Sequence, residues 1–402
     1  MERNIFILPS THKGKVIVFS PLLKSASLVD EGNEANQLIN DLRKYKVTYP
    51  HNYTKHINSN HVVILLTHAC NLSCEYCYAR LSRKNESLSL GVLRRVIDYV
   101  FANSKGAPVA FTFTGGGEPL VAWDVMYEGI EYIRSFPNDV PAKISLVTNG
   151  ILLTEERIKY LKEKEVNINI SFDILPDIQN AQRKMRNGNN SYDIVYNNIM
   201  SMHKYGLPVS FRTTITKNSV NMMADMVLWT KREFPFVSHL NIWPAIDPED
   251  KSIDFYNDYI DRFIEASEIG FPLGIRLHNW LTVLDKFHSR FCQEDFCITP
   301  AGEVVTCFKS ATASDPNYDI FHIGSMSEKI EISVDKEQYA MRVLNAKMED
   351  CKHCLARWSC AGICPATRLL LSKDVLKNYC DFTRNFLIRY IEFCLDHKVF
   401  SD

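Results

Sequence analysis

No apolar run in this chain of 402 residues reaches the roughly 18 residues that a membrane-spanning helix requires, and the opening MERNIFILPSTHKGK lacks the layout of a secretory signal. A cytoplasmic protein with no membrane partner is the expectation. Neither sign of charge is in excess, with 46 Lys and Arg against 47 Asp and Glu. Without a basic face, nucleic acid loses its electrostatic attraction as a partner. Internal repeats and low-complexity tracts are absent as well. Cysteine is missing from residues 78–291, although the chain holds 12 of them.

What is present is a globular composition, 46% hydrophobic and 23% charged, with ample apolar surface to bury. The length exceeds what one core usually organises, so a large domain with smaller satellites is expected. The cysteines fall in two groups, three at 70–77 and nine from 292 onward. A reducing compartment and a chain of this size argue against a disulfide scaffold, so the thiols read as metal ligands in two separate regions.

From residue 61, short β-branched runs alternate with amphipathic stretches, the pattern of repeated β/α units on a parallel sheet. The strand candidates are VVILLTHA, PVAFTFT, AKISLVT, VNINISFD, PVSFRTTI and VSHLNIW. Between the first two, Leu93, Val96, Ile97, Val100 and Phe101 make one apolar helical stripe. A later helix opens at Thr154, with Glu155 and Glu156 where the helix dipole favours negative charge. Six such units are too few to close an eight-fold barrel, so the fold class is α/β, an open, partial (β/α)6 barrel over residues 61–290. Sheets of this kind hold ligands at the carboxyl ends of their strands, where the first cysteines lie. Residues 1–60 form a small α+β lead-in, with GKVIVFS and SASLVD as paired strands and EANQLINDLRKY as a helix. Residues 291–402 form a cysteine-rich C-terminal domain, with a hairpin FCITPAGEVVTCF turning at Gly302 and a final helix RNFLIRYIEFCLDH.

The stretch THACNLSCEYCYAR holds Cys70, Cys74 and Cys77, spaced by three and then two residues. Structural zinc takes four ligands, and here the fourth is missing; His68, two residues before Cys70 at a strand end, is poorly placed to supply it. A four-iron cluster in an ordinary electron carrier also takes four thiolates, so three close cysteines leave one iron without a protein ligand. With an aromatic residue, Tyr76, before the last cysteine, the stretch resembles the radical S-adenosylmethionine (SAM) superfamily. The resemblance implies a 4Fe-4S cluster whose open iron is chelated by the amino and carboxylate groups of S-adenosylmethionine. It also implies an electron from that cluster, which cleaves a carbon–sulfur bond to give a 5'-deoxyadenosyl radical.

The rest of the body follows the same resemblance. FTGGGEPL stands after the second strand, where Gly116, Gly117 and Glu118 match the element that holds the methionine amino group. Glycine there admits close approach of backbone, and a carboxylate accepts from an ammonium group. Asn149 ends the third strand, and Ser171 and Asp173 end the fourth, where the family places polar groups near the ligand's carboxylate and ribose. Arg183 and Arg212 are the candidate cations for the carboxylate. Relatives often carry His-Asp where this chain has Gln179 and Asn180, so that loop is expected to differ.

CKHCLARWSCAGIC supplies Cys351, Cys354, Cys360 and Cys364; Cys380 follows 16 residues later, and Cys292 and Cys307 flank Gly302. Zinc is the alternative for any Cys-x2-Cys pair taken alone. Together the seven positions resemble the SPASM extension of radical SAM enzymes, which holds two auxiliary 4Fe-4S clusters, making three in the chain. By that resemblance Cys351, Cys354, Cys360 and Cys380 hold the outer cluster. Cys292, Cys307 and Cys364 hold the inner one, with Cys297 as an eighth thiol. Cys394, on an apolar helical face, reads as a small buried hydrophobe.

SPASM enzymes mostly modify peptides or proteins, forming thioether or carbon–carbon crosslinks in ribosomally made peptides, or formylglycine in sulfatases. Sulfatase-maturing relatives carry an acidic residue directly after the second hairpin cysteine, whereas Phe308 follows Cys307 here. That departure favours a crosslinking maturase over a sulfatase-type oxidation of Ser or Cys. The expected partners are a precursor peptide and a reductant such as flavodoxin or ferredoxin. The lead-in is shorter than the roughly 80 residues of a winged-helix recognition domain and reads as a peptide-binding remnant. No general base is assigned, since Glu294, Asp295 and His322 each read as loop charges. A non-catalytic peptide-binding member is the third reading, and the intact Cys70, Cys74, Cys77 and Glu118 count against it.

Overall fold

The computed structural model describes residues 4–47, 56–80, 85–137, 139–245, 252–284, 286–288, 290–292, 295–345 and 351–399. The lead-in forms as expected, with one strand more: β1 (Phe6–Pro9), β2 (Lys15–Ser20) and β3 (Ser25–Asp30) make an antiparallel sheet followed by α1 (Asn33–Leu42). The central strand is apolar from Val16 to Phe19 because both its faces are covered. Val16 and Val18 pack with Ala35 and Leu42 of α1, while Ile17 and Phe19 pack with Leu387 and Ile391 near the C-terminus.

The body runs β4 (His61–Ile64), α2 (Leu90–Asn103), β5 (Val109–Phe113), α3 (Trp123–Arg134), β6 (Ala142–Thr148), α4 (Glu155–Glu163), β7 (Val166–Ser171), α5 (Pro176–Gln182) and α6 (Tyr192–Lys204), then β8 (Phe211–Ile215), α7 (Met223–Glu233), β9 (His239–Pro244), α8 (Asp254–Gly270) and β10 (Arg276–His278). Strands β4 to β10 lie side by side in chain order, each parallel to the next. The six expected strand–helix units are all present, and β10, three residues long and too short to show a period, extends the edge. Helix starts follow their caps: the Ser89 hydroxyl accepts from Val92 N–H at 3.3 Å before α2, and that of Thr154 from Arg157 N–H at 3.3 Å before α4. Along β7, Ile168 and Ile170 are buried in the core with Val195 and Ile199 of α6, while Asn167, Asn169 and Ser171 keep access to solvent. A parallel sheet covered on both faces would be apolar on both. The alternation instead leaves one polar face, as an open barrel does.

The C-terminal part comprises β11 (Cys297–Ile298), β12 (Glu303–Val305), α9 (Tyr318–Phe321), β13 (His322–Ser325), β14 (Glu331–Ile332), α10 (Val334–Asn345), α11 (Arg357–Cys360), α12 (Pro365–Leu370) and α13 (Lys373–Asp396). The expected hairpin is β11–β12, and Gly302 takes φ +79° in its turn. Strand β11 pairs in parallel with β4, so hairpin and barrel form a single 11-stranded sheet. The last helix begins earlier than its apolar pattern suggested, at Lys373 after the Ser372 cap, which places Cys380 inside it. No helix among the described residues is long and apolar enough to cross a membrane.

Candidate cluster and ligand site

The carboxyl ends of β4, β5, β6 and β7 deliver the predicted residues to one place. The loop after β4 carries Cys74 buried and Cys70 and Cys77 half-buried. Burial, with the neighbouring Cys77 and Cys70, pushes the Cys74 thiol up to about 11. A metal bound there must therefore release a firmly held proton. Leu72 N–H donates to Cys70 Sγ at 3.5 Å.

The glycine element after β5 lies along this loop. Gly117 N–H donates to Thr67 O at 2.8 Å and Glu118 N–H to Ala69 O at 2.9 Å. A Cβ on Gly117 would stand 1.9 Å from Ala69 O, so no other residue fits without moving the cysteine loop. Glu118 is buried, and its Oε1 accepts from Thr148 Oγ1 at 2.6 Å and Leu120 N–H at 3.1 Å. Its Oε2 accepts from Asn149 N–H at 2.8 Å. Burial raises this carboxyl above its ordinary range, and the three hydrogen bonds oppose the rise. A carboxylate offers about four acceptor positions, so one remains for a further donor such as an ammonium group. The Asn149 amide donates to Asn71 Oδ1 at 2.7 Å, and its Nδ2 stands 4.0 Å from Cys70 Sγ.

Beyond β7, Asp173 is fully buried and surrounded by donors: Tyr76 Oη at 2.7 Å, Gln182 Nε2 at 2.8 Å, Arg183 Nη2 at 3.1 Å and Thr214 N–H at 3.1 Å. Burial holds the Tyr76 phenol protonated, well above its usual range, so it donates. Arg183, a candidate cation in the sequence, is buried and paired with Asp173, its Nε 3.0 Å from Oδ2. Its guanidinium also lies over the Tyr76 ring at 5.2 Å. Arg212 on β8 is exposed and lies over the Trp243 ring at 5.2 Å, and Ser171 is half-buried at the end of β7. The divergent pair has local work: Gln179 accepts from Asp173 N–H at 2.9 Å, and Asn180 accepts from Ser191 and Tyr192 N–H at 3.0 and 2.9 Å.

Four contributors escaped sequence reasoning. Asn71, Thr148 and Gln182 act through partners distant in the chain, and nothing local marks them. Tyr78, directly after Cys77, had the signal of position alone. Its Oη accepts from Gly116 N–H at 3.3 Å, and its ring lies 5.9 Å from that of Phe308. Cysteine loop, glycine element and hairpin thus meet at one side chain.

In the second region, Cys360 lies near enough to Cys351, Cys380 and Cys354 to feel their charge, and burial with those neighbours pushes its thiol up to about 12. Burial and the adjacent Cys364 push Cys307 up to about 12 against the backbone amides of Lys309 and Ser310. Cys307 and Cys364 pack with Phe321 and Met341, whereas Cys297 lies on β11 among Val63, Leu65, Val305 and Ala311. Cys292 is half-buried, and Cys394 is buried as expected. Trp280 Nε1, Arg357 Nε, Trp358 Nε1 and Tyr379 Oη are buried here with no hydrogen-bond partner among the described residues.

The three candidate bases fare differently. Glu294 lies outside the described residues. Asp295 is not a loop charge in solvent: it is fully buried, paired with Arg290, and accepts from Asn58 N–H at 3.0 Å, because a carboxylate in that setting needs a counter-charge. His322 is half-buried and paired with Glu303. Among the described residues no three His, Cys, Asp or Glu side chains converge on a single metal ion. A four-iron cluster asks for a different arrangement, each thiolate on its own iron.

Residues 64–229 match the Radical SAM superfamily. An uncharacterized protein MJ0907 of Methanocaldococcus jannaschii is 25% identical over 167 residues, 42% of this chain and 57% of its own, so that match spans little more than half of the relative. A cysteine-type anaerobic sulfatase-maturating enzyme of Clostridium perfringens is 24% identical over 345 residues, covering 79% of this chain and 92% of that one. The solved structure of native anSMEcpe with bound AdoMet superposes with a TM-score of 0.70 at 21% identity, covering 85% of this chain and 99% of that one. The matched span contains the three thiols after β4, the glycine element and the buried Glu118, and the family implies a 4Fe-4S cluster and S-adenosylmethionine. Residues 64–229 accordingly carry a Radical SAM superfamily domain, and the chain is similar over 79% of its length to an anaerobic sulfatase-maturating enzyme.

Proposed function

We propose that the chain is a peptide maturase that removes hydrogen from a precursor-peptide side chain or α-carbon and forms a thioether or carbon–carbon crosslink. When bound, S-adenosylmethionine with the reduced cluster supplies the 5'-deoxyadenosyl radical that takes the hydrogen. Cys70, Cys74 and Cys77 would hold that cluster, and the remaining acceptor position of Glu118 would take the methionine ammonium. Gly116 and Gly117 keep the backbone low enough for the ligand to approach. Tyr76, Gln182 and Arg183 hold Asp173 in place, and Arg212 supplies an accessible cation on the polar face. A crosslink requires one further electron and one proton to leave the substrate, so an acceptor for each is needed. Two auxiliary 4Fe-4S clusters on Cys351, Cys354, Cys360 and Cys380, and on Cys292, Cys297, Cys307 and Cys364, suit the electron. Four buried donors without acceptors among the described residues fit this reading, since each costs about 1–3 kcal/mol unless a cluster sulfur receives it.

The observation that carries the crosslinking reading is Phe308. Beside Tyr78, where the hairpin meets the cysteine loop, the chain presents aromatic surface rather than a carboxylate. The second reading, formylglycine formation, is favoured by the extent of the likeness to the sulfatase-maturating enzyme. Anaerobic reconstitution with a low-potential reductant such as flavodoxin or ferredoxin tests both. About twelve irons, 5'-deoxyadenosine, and a peptide two hydrogens lighter whose fragments stay joined are the expected result. An aldehyde that traps hydrazine would establish the second reading instead, and bound zinc without S-adenosylmethionine cleavage would sink both.

A further inference from the structure

Tyr379 stands directly before Cys380 on α13, is 1% exposed, and has no hydrogen-bond partner for its Oη among the described residues. Its ring is fixed by other rings. It stacks on Trp280 with centroids 6.4 Å apart and planes at 7°, and meets Tyr256 edge-on at 5.9 Å and Phe382 at 5.7 Å. None of those faces accepts a normal hydrogen bond. Cys360 and Cys364 pack against the same core that holds Tyr379, and Cys380 is its neighbour on α13. In the proposed assignment these three cysteines belong to two different clusters, so Tyr379 sits in the core that borders both. An unpaired hydroxyl in such a setting costs about 1–3 kcal/mol, and phenylalanine would fill the same space without that cost.

We infer that Tyr379 is a positioning residue whose Oη–H donates to a sulfur of the cluster held by Cys360 and so stabilises its reduced form. Hydrogen bonds to sulfur are among the levers by which a protein sets the potential of such a cluster. The inference rests on the proposed presence of the auxiliary clusters, and its test separates the two.

The test compares reconstituted wild-type, Tyr379→Phe and ring-fluorinated Tyr379 holoenzymes by iron count, electron paramagnetic resonance and redox titration. At equal iron content, Tyr379→Phe should lower the reduced-to-oxidised ratio of one auxiliary cluster about tenfold at fixed potential, a downward shift of about 59 mV for one electron. The signal of the cluster at Cys70, Cys74 and Cys77 should stay unchanged. The fluorinated ring, a stronger donor, should move the same auxiliary cluster the other way, and it decides the matter even if the phenylalanine variant loses iron. Unchanged potentials at full iron content overturn the hydrogen bond and leave the cluster assignment standing. Wild-type protein that takes up only about four irons overturns the assignment itself.

Discussion

Around Cys70, Cys74 and Cys77 the two buried carboxylates have their donors in place and Asn71 Nδ2 is a buried donor left over; around Cys351, Cys354, Cys360 and Cys380 several buried donors have no acceptor among the described residues. Glu118 and Asp173 represent the first setting, the one with three hydrogen bonds and the other with four. Trp358 and Tyr379 represent the second. A site of satisfied carboxylates with one lone pair to spare suits a cationic ligand that comes and goes. A site of unsatisfied donors suits a permanent group that brings its own acceptors. In the proposed reading the first setting serves the chemistry and the second holds electrons, with the same kind of ligating atom in both.

The sharpest way to break this contrast is to remove thiols from each region in turn. Alanine at Cys70, Cys74 and Cys77 should abolish S-adenosylmethionine cleavage and remove about four irons, whereas alanine at Cys360 and Cys380 should remove a similar number and leave cleavage measurable. Iron analysis and chromatography of 5'-deoxyadenosine decide it, and equal loss of cleavage in both would erase the distinction.

Stability should show the next largest difference. Asp173→Asn leaves the Arg183 guanidinium buried without its counter-charge, at a cost of about 3–5 kcal/mol. The half-exposed Asp381–Arg384 pair beside the second region is screened by water, so Asp381→Asn should cost about 1 kcal/mol or less. Denaturant titration of the two variants measures both.

A smaller effect lies in pH. Burial raises Glu118 above the ordinary carboxylate range, so it gains its proton early as pH falls. A protonated Glu118 no longer attracts an ammonium group, and affinity for S-adenosylmethionine should then fall by up to about tenfold per pH unit below that raised value. The folded chain binds this proton more tightly than the unfolded one, so through this group stability rises as pH falls while ligand affinity declines. Calorimetric titration at matched iron content, beside thermal melts, checks the opposite signs.

Much of this was legible before any coordinates. Five strand candidates became β5 to β9 because alternating burial leaves a period of two, the first became β4 as an unbroken apolar run buried on both faces, and the stripe from Leu93 to Val100 became the buried side of α2. Three cysteines, a glycine element and Asn149 could be assembled because each sits at the end of its own strand. Arg183 was harder. Its sequence context offers a cation for a ligand, but its burial beside Asp173 makes it a support for the site's floor. Asp295 misled in the same way, since a charge in a short linking stretch gives no sign of an Arg290 waiting in the interior.

Spacing and period are local properties, written within a few residues of one another, and they sufficed for the β/α order, the open-cornered cysteine triad and the cysteine-rich C-terminal region. Pairing is not local. That β11 joins β4, that Ser10 reaches Glu392 across 382 positions, and that Tyr379 ends among rings with no acceptor for its hydroxyl among the described residues follow from how the elements pack. Such contacts depend on which buried groups must find partners once water is excluded, and that demand arises only when the chain has closed around them.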